Sequence, residues 1–120
     1  MPVQDAALCL IDGTIAFTGG ATVTGDGIFT GRLPYHGVQI ECYLPVDGTT
    51  LVLEFQGSNT SAVAGFATVF SKTVTVGAKT YLWNIPTFTY KWMRVYASTI
   101  TAAWGYPEIC LTLGEKEKLT

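Results

Sequence analysis

The 120-residue chain has a formal net charge of −2, with 13% charged and 48% hydrophobic residues. That balance excludes intrinsic disorder, which needs low hydrophobicity together with high charge. Seven Lys and Arg in all give no basic stripe able to neutralise a row of phosphates, so nucleic acid is not an expected partner. A mass of 12.9 kDa fits a single domain over residues 1–120, large enough to fold without a disulfide or a metal.

In chain order, residues 1–5 form a short N-terminal segment, and residues 6–11 and 14–17 read as strands around the turn Asp12-Gly13. Residues 19–32 carry Gly19, Gly20, Gly25, Gly27 and Gly31 with little apolar material, which predicts an extended exposed loop. Residues 36–44 alternate, with Val38, Ile40, Cys42 and Leu44 on one face and Gln39, Glu41 and Tyr43 on the other. The turn Asp47-Gly48 leads into residues 49–56, where Leu51, Leu53 and Phe55 alternate with Val52, Glu54 and Gln56. The two runs are expected to pair as a hairpin.

Residues 66–76 predict a further strand with Phe66, Thr68 and Phe70 on one face. Residues 80–85 form the next, ended by Pro86, which cannot donate to a ladder. In residues 91–98, Trp92, Arg94 and Tyr96 alternate with Met93, Val95 and Ala97, and Ile109, Leu111 and Leu113 close the domain. Residues 114–120 make a charged tail. Short strands with regular turn signals and no helical period define an all-β fold, a small antiparallel β-sandwich or jelly-roll-like domain.

No catalytic constellation assembles from these residues. His36 has neither a nucleophile nor an orienting partner with a sequence signature. Asp12, Asp26 and Asp47 each adjoin a glycine, as turn residues do. Glu41 and Glu54, outward on adjacent strands of the expected hairpin, could be a glycosidase pair but read as exposed strand carboxylates. The glycine-rich segment does not run from a strand into a helix, so it is not a phosphate cradle. Calcium at Asp26 would need oxygen ligands that the sequence does not space out.

Cys9, Cys42 and Cys110 lie in apolar runs and read as free buried thiols, with a disulfide or a metal site with His36 as alternatives. Met1-Pro2-Val3-Gln4-Asp5 shows no secretory pattern, and no long apolar helix is evident, so no membrane is expected. Neither a cofactor nor a metal is called for. Tyr81, Trp83, Tyr90, Trp104 and Tyr106 read mainly as core, but Trp92, Arg94 and Tyr96 share a strand face whose composition suits a recognition surface.

The order of Leu10-Ile11-Asp12-Gly13, the glycine-rich loop ending at Gly31-Arg32, the strands of residues 36–44 and 49–56 with Gly57-Ser58-Asn59-Thr60, the run 66–76 and Lys91-Trp92-Met93-Arg94-Val95-Tyr96 resembles the single-β-sandwich cement proteins that decorate the capsids of tailed bacteriophages. That resemblance implies a structural protein on the outside of an assembled capsid, made in the bacterial cytoplasm of the host. It implies a major capsid protein as partner, homo-oligomers as dimers or trimers, and no cofactor. Pro86 and the aromatic stretch of residues 81–90 depart from the pattern. The contacts expected at neighbouring subunits are residues 1–5 and 19–32, with Gly25, Asp26 and Arg32, and the face of Trp92, Arg94 and Tyr96. Two other readings are a carbohydrate- or receptor-binding module of a phage fibre, and a tail tube, terminator or adaptor subunit.

Overall fold

The computed structural model describes residues 4–30, 38–46, 48–75, 79–85 and 89–112. Expectations placed on Arg32, His36, Asp47, Pro86 and the tail lie outside these residues. The described strands are β1 (Gln4–Asp12), β2 (Val23–Thr24), β3 (Ile28–Phe29), β4 (Val38–Leu44), β5 (Thr50–Ser58), β6 (Ala67–Val74), β7 (Lys79–Ile85), β8 (Trp92–Thr101) and β9 (Glu108–Thr112).

They form two antiparallel sheets, a four-stranded one in the order β1-β9-β4-β7 and a second in the order β2-β8-β5-β6, with β3 also paired to β8. Successive strands mostly change sheet, and β1/β9 and β2/β8 return to lie beside one another, which is jelly-roll connectivity. The all-β sandwich expectation holds.

The core is the inward half of each alternation. Val38, Ile40, Cys42 and Leu44 of β4 meet Leu51, Leu53 and Phe55 of β5 and Met93, Val95 and Ala97 of β8, all buried. Each large apolar side chain removed from water in this way contributes roughly 1.5–3 kcal/mol, which is what fixes strand register.

Strand pairing differs from the sequence expectation. β4 pairs with β7 and β9, and β5 with β6 and β8, so the expected β4–β5 hairpin is a crossing between sheets. Gly48 does not have the positive φ of a tight hairpin; a Cβ there would collide with the indole of Trp104. Trp104 is fully buried beside this crossing, and its Nε1 donates to the carbonyls of Thr50 and Thr101 at 3.2 Å each. The glycine supplies room rather than turn geometry. Glu41 and Glu54 consequently lie in different sheets, and no carboxylate pair forms.

The N-terminal third differs too. β1 pairs with β9, and of residues 14–17 only Phe17 bridges, to Gly105. The expected extended loop contains β2 and β3, both held on β8. The free-thiol expectation fails for two cysteines: Cys9 and Cys110 are joined by a disulfide, and Cys42 alone is free and buried.

Candidate binding surface

The outer face of the β2-β8-β5-β6 sheet gathers polar and aromatic side chains in rows set by register. Gln56 of β5 lies opposite Arg94 on β8 and opposite Thr68 on β6. Arg94 Nε donates to Gln56 Oε1 at 2.8 Å, Gln56 Nε2 donates to Thr68 Oγ1 at 3.3 Å, and the Thr68 hydroxyl donates to Glu54 Oε1 at 2.8 Å. Each link fixes the orientation of the next, so four polar side chains are held in place across three strands.

The guanidinium of Arg94 also lies 4.1 Å from the centroid of the Phe66 ring, close enough for a cation–π contact. Phe66 is placed by the loop between β5 and β6. There the buried Ser58 hydroxyl donates to the Ala64 carbonyl at 2.5 Å and accepts from the Thr60 amide at 3.0 Å. Asn59 Oδ1 accepts from the Lys91 amide at 2.9 Å, fastening the same loop to the residue before β8. At the other end of the row, Phe29 meets Trp92 edge-on with centroids 5.1 Å apart, as the β3–β8 register dictates.

Trp92, Arg94 and Tyr96 therefore share this face, each half-buried, as their alternation predicts. Asp26 is exposed at the β2–β3 bend, and its amide donates to the Leu10 carbonyl at 3.3 Å. Gly25 is buried there; its amide donates to the Val95 carbonyl at 2.8 Å, and a Cβ would strike the Leu10 carbonyl oxygen. Its role is close backbone approach.

Sequence reasoning missed Phe66 and Thr68 as members of this face. In the ladder, Phe55 lies opposite Phe70 but Gln56 lies opposite Thr68, so Val69 is an extra residue, a β-bulge. The bulge lets Phe70 pack inward against Phe55, with centroids 5.9 Å apart, while Thr68 reaches Glu54 outside. Glu54 and Gln56 carried a usable signal as the outward positions of a clean alternation.

The remaining aromatics are mostly structural. Tyr81 stacks on Trp83 at 5.4 Å, Trp83 meets Phe55 at 6.0 Å, and Lys72 and Lys79 lie over the rings of Phe70 and Tyr81. An open cleft of about 430 Å³ between residues 19–22 and 98–102 is lined by Gly, Ala, Ser, Thr and Ile, without an ionisable group. Among the described residues no three His, Cys, Asp or Glu side chains gather to hold a metal. Nor is any helix there long and apolar enough to cross a membrane.

The chain is thus a jelly-roll β-sandwich domain with a preorganised polar-aromatic patch on one sheet. No protein-family model and no curated protein matches it. Among solved structures, the crystal structure of PirA is similar at a TM-score of 0.56 and 17% sequence identity, over 81% of this chain and 89% of that chain. The likeness is one of fold.

Proposed function

We propose that this protein is a non-catalytic recognition domain that holds carbohydrate on the outer face of β8 and β5. The observation that carries the reading is Trp92, Arg94 and Tyr96 in one row, beside the fixed chain of Gln56, Thr68 and Glu54. Partly exposed aromatic rings offer a surface to the apolar faces of sugar rings, and amide, hydroxyl and carboxylate groups that already have defined orientations suit their hydroxyls. Of the three tryptophans, Trp104 is fully buried and Trp83 stacks on Tyr81, which leaves Trp92 as the indole on this face. The Cys9–Cys110 disulfide favours an oxidising destination, such as the outside of a cell or virion, over a reducing cytoplasm.

The test is titration of isotopically labelled protein with an oligosaccharide panel. Shifts should concentrate at Trp92, Arg94, Gln56, Thr68 and Tyr96. Trp92→Ala should weaken binding about tenfold, the equivalent of an aromatic contact of roughly 1.5 kcal/mol. Shifts confined to the β1-β9-β4-β7 sheet, or no binding anywhere in the panel, would overturn the proposal.

A second reading keeps capsid decoration, with a major capsid protein and further copies of the chain as partners. It draws support from Tyr43 and Leu82, both exposed large hydrophobics. The pairs Glu41–Leu82 and Tyr43–Thr80 make them diagonal neighbours on the outer face of the four-stranded sheet. Co-sedimentation with capsids, lost on Leu82→Asp, would favour it. A monomer indifferent to capsids would rule it out.

A further inference from the structure

We infer that Arg94 is a receptor for a single carboxylate, and that the sugar this face takes is an acidic pyranose. The inference rests on the recognition reading above and names its ligand class. Arg94 uses Nε on Gln56 and its π-face on Phe66, and it forms no ion pair among the described residues. Among those residues its two terminal nitrogens take no hydrogen-bond partner, and their fork matches the two oxygens of a carboxylate. An arginine held in this way from two sides loses little side-chain freedom on binding.

The charge balance around it selects the kind of anion. Among the described side chains of the row Gln56, Thr68, Glu54, Trp92, Arg94 and Tyr96, Arg94 is the cation, and Glu54 stands two positions along β5 from the Gln56 that anchors it. With a net charge of −2 on the chain, a polyanion would meet one favourable contact and general repulsion. A ligand with one negative charge among hydroxyl groups fits. The Gln56 amide, the Thr68 and Tyr96 hydroxyls and the Glu54 carboxylate offer it both donors and acceptors, and Trp92 and Tyr96 flank the arginine at alternate positions of β8.

The experiment is calorimetric or NMR titration of the intact domain with oligosaccharides ending in glucuronic acid or N-acetylneuraminic acid. The comparison ligands are the same sugars with the carboxyl group reduced to an alcohol. The acidic forms should bind at least about tenfold more tightly, the scale of one charge-assisted hydrogen-bonded pair. Arg94→Met should erase that preference, Arg94→Lys should restore only part of it, and thermal melting should confirm that both variants fold. Equal binding of acidic and reduced forms would overturn the carboxylate inference while leaving carbohydrate recognition standing. Binding of an acidic peptide with no acidic sugar bound would overturn both.

Discussion

Cys9 of β1 and Cys110 of β9 stand directly opposite one another on neighbouring antiparallel strands and are joined as a disulfide. Register shifts on both sides of Cys9 interrupt the β1–β9 ladder, so the covalent link pins an edge strand whose hydrogen bonding is irregular. It closes a loop spanning a sequence separation of 101 residues. A loop of that length removes about 4.7 kcal/mol of chain entropy from the unfolded state in the simplest model.

Thiol counting checks this directly. Protein unfolded without reductant should show one alkylatable cysteine, and three after reduction. The reduced protein, or Cys9→Ser/Cys110→Ser, should unfold at markedly lower denaturant. Three reactive thiols without reductant would contradict the disulfide.

Cys42 behaves differently because β4 turns its side chain into the core. Burial pushes its thiol up to about 12 from an ordinary 9.0. In the native state it should resist alkylation at pH 8. The folded state holds this proton more tightly than the unfolded chain, so its contribution is fully present below pH 9 and is lost as pH rises toward 12. Three pH units correspond to at most about 4 kcal/mol. Denaturation at pH 8 and pH 10.5 should show a smaller alkaline loss in Cys42→Ala than in the parent protein.

The crossing from β4 to β5 makes a steric prediction. Gly48→Ala would drive a methyl group into the Trp104 indole, a fully buried ring with both its Nε1 contacts on backbone carbonyls. A destabilisation of about 1–3 kcal/mol is expected from overpacking, and Trp104→Ala should cost about 3–5 kcal/mol through the cavity left behind. Acrylamide should quench the parent protein, through Trp92, more strongly than the Trp83→Phe/Trp92→Phe variant, whose one remaining indole is the buried Trp104.

The inward and outward faces of β4, β5 and the first half of β8 were legible in the sequence, because alternation of Val38, Ile40, Cys42 and Leu44, or of Met93, Val95 and Ala97, follows from strand geometry alone. Alternation says which face is buried but not which strand lies alongside. The Asp47-Gly48 turn therefore suggested a local hairpin where the chain changes sheet. The Trp92, Arg94 and Tyr96 row was legible for the same reason, whereas Phe66 and Thr68 joined it only through the bulge at Val69. Cys9 and Cys110 meet because β1 and β9, at opposite ends of the chain, are neighbours in one sheet.

A second bulge gives the sharpest test of the fold. Val52 pairs with Thr99 but Leu53 pairs with Ala97, so Ser98 is an unpaired extra residue in β8. Beyond it the parity of the strand reverses: Ile100 is buried, whereas unbroken alternation from Met93 would have put Thr99 inside and Ile100 in solvent. Ile100→Ala should therefore cost about 2–5 kcal/mol and Thr99→Ala no more than about 0.5 kcal/mol, measured by chemical denaturation. The opposite order would show that β8 runs straight, and it would undo the register that brings Ile100 opposite Leu51.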